Sequence, residues 1–279
     1  MIEYINWNGK IVEQNTFRIG PDNRAFRYGD GFFETMKVNE FGINLEELHF
    51  ERLFFSLDLL QFDVPPFYTA AYFRQQVESL LRQNNHSSSA RVRLMIYRGD
   101  GSIYGSIDHF PHFVIQSWPL RKDIMQINND KLEIGIFTDS RKSCDKFSCL
   151  KSNNYLCYSM GAFFAAKHTL HDAVILNSYN RVADATIANI FIVQDGIIKT
   201  PSLNEGCISG VYRKYLLQSF SKDGIPFVEG PVTIDDLLHA SEVFLTNALN
   251  GIKWIYKCGE SLYTNEVSSF LHGQYAKLK

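Results

Sequence analysis

The chain has 279 residues, with 28 basic against 30 acidic side chains, a net charge of −2 and 45% hydrophobic residues. That length suits one large domain or two modest ones, and a core of that size needs no disulfide or metal staple. The near-neutral balance excludes the basic field that nucleic-acid binding requires and the extreme charge of a disordered chain.

Apolar residues at 2–5 and 10–12 flank Trp7-Asn8-Gly9, an Asn-Gly hairpin signal. Residues 32–38 predict a strand, 45–60 and 67–81 predict helices, and 91–97 and 112–116 predict strands. Together they make a mixed α/β module. Ser87-Ser88-Ser89 reads as a loop. Ser117-Trp118-Pro119-Leu120 and the charged stretch behind it read as a linker, because Pro119 lacks a donor and restricts the residue before it. This sets domains at 1–119 and 120–279. Beyond it, 132–137, 173–176, 189–193, 197–200 and 243–246 predict strands. Residues 155–167, 211–220, 234–239 and 261–278 predict helices.

Cysteines stand at 144, 149, 157, 207 and 258, an odd number with no Cys-x-x-Cys pair and no histidine cluster beside them. Free thiols and no metal site are expected. The chain opens without a basic segment leading an apolar one, and no run of about 18 apolar residues offers a membrane span. The expected location is cytoplasmic.

Five stretches carry more polarity than a core explains. Arg24-Ala-Phe-Arg-Tyr-Gly-Asp-Gly-Phe-Phe-Glu-Thr35 places two glycines around Asp30, permitting a bend ahead of a strand. Arg52 sits at the border of an apolar helix face, either ion-paired or presented as a fork to an anion. Lys151 lies between an apolar pair and Ser152-Asn153-Asn154-Tyr155. It is either a surface lysine or one desolvated for attack on a carbonyl. Asp184, Thr186 and Asn189 interrupt an apolar run, and a buried carboxylate or amide needs partners. Gly206-Cys-Ile-Ser-Gly-Val-Tyr-Arg213 opens a helix, either capped by Ser209 or offering N–H groups to an anion.

In this order, from Trp7-Asn8-Gly9 to about Ile252, the stretches resemble the fold-type IV family of pyridoxal-phosphate enzymes. That family includes branched-chain and D-amino-acid aminotransferases and 4-amino-4-deoxychorismate lyases. The resemblance implies an α/β (α+β) chain with a small N-terminal α/β domain and a larger, barrel-like, C-terminal cofactor-binding domain. It implies pyridoxal 5'-phosphate as cofactor, a small-molecule substrate, and a homodimer whose subunits share active sites. Lys151 matches the Schiff-base lysine and acid/base. Asp184 falls where most members carry a glutamate facing the pyridine nitrogen. Arg52, the backbone N–H groups of Val211 and Tyr212, and Thr246-Asn247 would hold the phosphate. Tyr155 is similar to a tyrosine on the ring oxygen, although its spacing from the lysine is one residue shorter. Arg213 resembles an arginine after the phosphate loop, with a structural role equally open.

Substrate anchors diverge. D-amino-acid aminotransferases have tyrosine at Phe33 and an Arg-x-His motif where this chain has Ile103-Tyr104-Gly105. Branched-chain members carry a Gly-Thr-Ala loop where this chain has Thr246-Asn247-Ala248-Leu249. That Asn-Ala-Leu run and Arg98-Gly99-Asp100-Gly101 look like the lyases, yet Ile103 replaces an arginine common there. Phe33, Lys37 and Arg98 are the candidate substrate residues. The expected activity is amino transfer between an amino acid and a 2-keto acid. The alternative is lysis of aminodeoxychorismate to pyruvate and 4-aminobenzoate, and a lesser one is an inactive cofactor-binding homologue.

Overall fold

Strands of two to ten residues interspersed with helices must bury one sheet face under helices. The computed structural model describes residues 3–86, 89–105, 107–120 and 124–276. Ser87, Ser88 and the charged stretch 121–123 lie outside the described residues. Residues up to Ile124, joined by Lys151–Asn154, form one compact unit; Met125–Leu150 and the chain from Tyr155 onward form the other. The expected boundary at 119/120 and this one at 124/125 bracket the undescribed stretch 121–123.

The first unit runs β1 (Tyr4–Trp7), β2 (Lys10–Glu13), α1 (Arg24–Tyr28), β3 (Gly31–Asn39), β4 (Gly42–Ile43), α2 (Glu46–Leu59), α3 (Ala70–Gln83), β5 (Ser89–Tyr97) and β6 (His112–Pro119). Its six-stranded sheet has the order β2-β1-β6-β5-β3-β4, and its pairings are antiparallel. The first hairpin turns through Asn8 and Gly9, both at positive φ (49° and 84°), as a two-residue turn between right-twisted strands requires. Phe32, Met36 and Val38 of β3 enter one core with Phe50, Leu53 and Leu57 of α2 and Phe73, Val77 and Leu80 of α3. Strand alternation therefore sends Phe33, Thr35 and Lys37 to the other sheet face.

Two expectations in this unit are corrected. Ser89 opens β5 rather than ending a loop. Ser117, Trp118 and Pro119 belong to β6 rather than to a linker: Pro119 pairs with Ala90 beyond the β1 pairing, which reaches only Val114 and Ile115, so its missing N–H interrupts no second ladder. The third helix begins at Ala70, where the Thr69 hydroxyl accepts from the Tyr72 N–H and caps the first turn.

The second unit runs β7 (Glu133–Lys142), α4 (Leu156–Lys167), β8 (Asp172–Asn177), β9 (Val182–Ala185), β10 (Asn189–Gln194), β11 (Ile197–Pro201), α5 (Val211–Asp223), β12 (Phe227–Gly230), α6 (Ile234–Leu238), β13 (Glu242–Asn247), β14 (Gly251–Ile255), β15 (Lys257–Cys258), β16 (Ser261–Leu262) and α7 (Glu266–Tyr275). Two five-stranded sheets, β12-β11-β10-β13-β14 and β16-β15-β7-β8-β9, share one apolar core built on Val174, Leu176, Val182, Ile190, Val243 and Leu245. Strands β8 and β9 are buried at every position, which explains the continuous apolar run from Ala173 to Leu176 in β8. The expected helix over 261–278 is corrected. Gly259, at φ 59°, turns the chain so that Cys258 pairs with Ser261, and the helix starts only at Glu266; residues 277 and 278 lie outside the described residues.

Candidate active site

In the second unit the polar residues that interrupted the apolar run converge on one carboxylate. Asp184 sits on β9 opposite Ile175 of β8 and is 1% exposed. Its Oδ1 accepts from Asn189 Nδ2 at 2.8 Å. Its Oδ2 accepts from the Tyr158 hydroxyl at 2.7 Å, the Ile208 N–H at 2.9 Å and Lys142 Nζ at 3.3 Å. Burial raises the Asp184 pKa, and the Lys142 charge is the foremost influence pulling it back. Tyr155 stacks on Tyr158 with ring centroids 4.5 Å apart, and its hydroxyl donates to the Thr186 carbonyl at 2.9 Å.

Asn189 also fixes the loop that opens α5. Its Nδ2 donates to the Ile208 carbonyl at 2.8 Å. A Cβ on Gly210 would lie 1.8 Å from Asn189 Oδ1, so only glycine lets the backbone pass there. Gly210 is also the N-cap of α5 and provides no side-chain acceptor. The first-turn N–H groups of Val211 and Tyr212 thus stand at the positive end of the helix dipole without a side-chain cap, an arrangement of the kind that suits an anion. Thr246, on β13 and in register with Asn189, is 1% exposed, and its Oγ1 is buried without a hydrogen-bond partner. A buried, unsatisfied hydroxyl costs about 1–3 kcal/mol, so it points to a ligand.

Other expected phosphate contacts have structural work. Asn247 Oδ1 accepts from the Leu249 and Asn250 N–H groups and shapes that turn. The Tyr212 hydroxyl donates to the Tyr275 carbonyl at 3.2 Å. Arg213 donates to the Pro201 carbonyl at 2.8 Å and to Glu229 at 2.6 Å, the structural alternative for that residue.

In the first unit, residues 151–154 run beside the start of β3. The Phe33 N–H donates to the Lys151 carbonyl at 3.0 Å, and the Asn153 N–H to the Gly31 carbonyl at 2.9 Å. The two glycines around Asp30 make this approach possible. A Cβ on Gly31 would lie 2.2 Å from the Ile96 carbonyl, and one on Gly29 2.8 Å from Asn154 Oδ1. Lys151 Nζ stands 5.1 Å from the centre of the Phe33 ring, and the Arg93 guanidinium stands 3.9 Å from it. Asn153 Oδ1 is buried without a hydrogen-bond partner.

Arg52 forms a bidentate pair with Glu34, Nε to Oε1 at 2.7 Å and Nη2 to Oε2 at 2.6 Å. His49, fully buried, donates its Nδ1–H to Glu34 Oε2 at 2.6 Å. Burial pushes the Glu34 carboxyl up, but the Arg52 charge and the hydrogen bonds from His49 and Arg52 override it and leave it at about 2. Burial likewise lowers the His49 pKa; Glu34 opposes this, while the Arg52 and Lys151 charges add to it. Lys37 is 7% exposed, and burial lowers its pKa.

Phe33, Lys151, Arg52 and Lys37 thus belong to one unit, and Tyr155, Asp184, Val211, Tyr212, Thr246 and Asn247 to the other. Arg98, also of the first unit, pairs with Asp30 at 2.6 Å, donates to the Leu60 carbonyl and covers the Phe62 ring. Sequence reasoning assigned no role to Glu34, His49, Arg93, Lys142 or Tyr158. An acid at an inward position of β3, between Phe32 and Met36, was the available signal for the first pair.

The sequence matches the family described as amino-transferase class IV over residues 31–257. A Methanocaldococcus jannaschii protein with a provisional branched-chain-amino-acid aminotransferase name is 27% identical over 266 residues, 93% of this chain and 89% of that one. The aminodeoxychorismate lyase of Bacillus subtilis is 26% identical over 278 residues, 97% and 92% of the two chains. The fold is that of the T.th. branched-chain amino acid aminotransferase solved with pyridoxamine 5'-phosphate, at TM-score 0.85, 18% identity, and 99% and 93% coverage. No helix among the described residues is long and apolar enough to cross a membrane. The chain is an enzyme of the amino-transferase class IV family.

Proposed function

We propose that this enzyme is a pyridoxal-phosphate-dependent aminotransferase acting between an amino acid and a 2-keto acid. The residues present fit the cofactor. An uncapped helix start and an unsatisfied Thr246 hydroxyl suit a phosphate, and the buried Asp184 suits a protonated ring nitrogen. Bound pyridoxal phosphate supplies a carbonyl for the amine and a ring that accepts electrons from the substrate carbon.

The chain's own groups do the rest. Lys151 would hold the cofactor through Nζ and would move the proton at the substrate α-carbon. Asp184 would face the ring nitrogen and Tyr155 the ring oxygen. The Val211 and Tyr212 N–H groups and the Thr246 hydroxyl would bind the phosphate. Arg52 adds its charge, its fork held in one orientation by Glu34, and Asn247 shapes the adjoining turn. Phe33 is the apolar wall beside Lys151, while Lys37 and Arg93 take a substrate carboxylate.

The observation that carries the reading is Lys151 against Phe33, on the sheet face where strand alternation also places Lys37. The enzyme works as a homodimer in the cytoplasm. Leu156, Met160 and Phe163 of α4, at helical spacing and 75%, 43% and 67% exposed, support a partner for this face.

Lysis of aminodeoxychorismate is the second reading. It is favoured by Thr246-Asn247-Ala248-Leu249 and by the match to the Bacillus subtilis lyase. Offering aminodeoxychorismate without a keto acid separates the two. Release of pyruvate and 4-aminobenzoate overturns the aminotransferase reading; turnover that requires both an amino donor and a keto acceptor supports it.

A further inference from the structure

Lys142 is a cation that the expected chemistry does not use, yet it lies against the one acid that chemistry depends on. It ends β7, where the register with β8 jumps from Phe137–Ile175 to Lys142–Asn177. Such a bulge re-aims the side chain that follows it. The lysine side chain is 10% exposed, its Nζ is 3.3 Å from Asp184 Oδ2, and it lies 5.1 Å from the centre of the Tyr158 ring. Around the carboxylate stand Lys142 from β7, Tyr158 from α4, Asn189 from β10 and, from the loop before α5, the Ile208 N–H and the Cys207 thiol. Burial pushes the Cys207 thiol up to about 12 and Tyr158 well above its ordinary value, so both stay neutral near pH 7. Lys142 is the one cation in this set.

We propose that Lys142 is a positioning residue that keeps Asp184 ionised. A carboxyl buried this deeply tends to retain its proton. A cation on its Oδ2 favours the carboxylate, so a proton shared with a basic nitrogen rests on the nitrogen and not on Asp184. At 3.3 Å from Oδ2, the Lys142 charge acts directly on the carboxylate. Tyr158, Ile208 and Asn189 orient the acid; Lys142 sets its charge. The shorter aspartate is thereby held charged by its surroundings. The role toward a ring nitrogen rests on the cofactor reading above, whereas the effect on Asp184 does not.

The test uses the cofactor-free protein first. Infrared difference spectra should show no protonated-carboxyl band from Asp184 in the unmutated chain. In Lys142→Met such a band should appear, vanish in Lys142→Met/Asp184→Asn, and be absent in Lys142→Arg. If Lys142→Met does not fold, Lys142→Gln gives the same reading. With cofactor bound, kcat of Lys142→Met should fall about tenfold or more with KM little changed, and Lys142→Arg should restore most of it. A neutral variant without the band, or the band already present in the unmutated chain, overturns the proposal. The expected pattern of bands in an unmutated chain and variants that bind no pyridoxal phosphate would uphold the proposal and overturn the cofactor reading instead.

Discussion

Replacing Glu34 with Gln tests the buried network that orients Arg52. The carboxyl is held at about 2 against an ordinary 4.5, because the Arg52 charge and the His49 and Arg52 hydrogen bonds overcome burial. That difference corresponds to about 3 kcal/mol of stability, undiscounted because the group is wholly buried. The folded-state pKa is depressed, so the contribution is complete above the unfolded value of 4.5 and is lost as pH falls through about 2. Glutamine keeps the shape, removes the charge, and leaves the guanidinium facing an amide. Burial lowers the His49 pKa and Glu34 opposes it, so the substitution acts on His49 as well. Denaturant unfolding of both cofactor-free proteins should give a gap of about 3 kcal/mol at pH 7 and less than half that at pH 3. A gap under about 1 kcal/mol at pH 7, or one that does not change with pH, refutes the assignment of Glu34 as an ionised partner.

Three further outcomes follow from the site. Thr246→Val replaces an unsatisfied hydroxyl with a methyl, so the cofactor-free protein should gain about 1–3 kcal/mol of stability in denaturant unfolding while its Kd for pyridoxal phosphate rises about tenfold or more by fluorescence titration. Gly210→Ala puts a Cβ 1.8 Å from Asn189 Oδ1, which should cost about 1–3 kcal/mol in thermal unfolding and weaken cofactor binding; an unchanged Tm contradicts the packing. Lys37→Met should raise KM for the keto acid about tenfold at nearly constant kcat, the mark of lost uniform binding, and an unchanged KM removes Lys37 from the substrate site.

Elements with strong local signals were legible in the sequence. The Asn8-Gly9 hairpin, the α2 face of Phe50, Leu53 and Leu57, and the continuous apolar strand β8 each obey a short-range rule. Pro119 misled because its effect depends on which strands flank it, and Ser261 because a two-residue hairpin through Gly259 precedes the helix. The candidate site divided in the same way. Lys151 and Asp184 stood in recognisable stretches. Arg98 and Lys142 did not reveal their partners, since Asp30 and Asp184 lie 68 and 42 residues away. Long-range polar pairing leaves no periodic trace, and Lys142 owes its direction to a bulge.

The central claim is that Lys151 carries the cofactor. Purified protein incubated with pyridoxal phosphate, reduced with borohydride and digested should yield a phosphopyridoxyl group on the peptide containing Lys151, together with a visible absorption band before reduction. Lys151→Ala should show neither. Absence of the band in the unmutated protein, or the label on another lysine with Lys151 unmodified, contradicts the account.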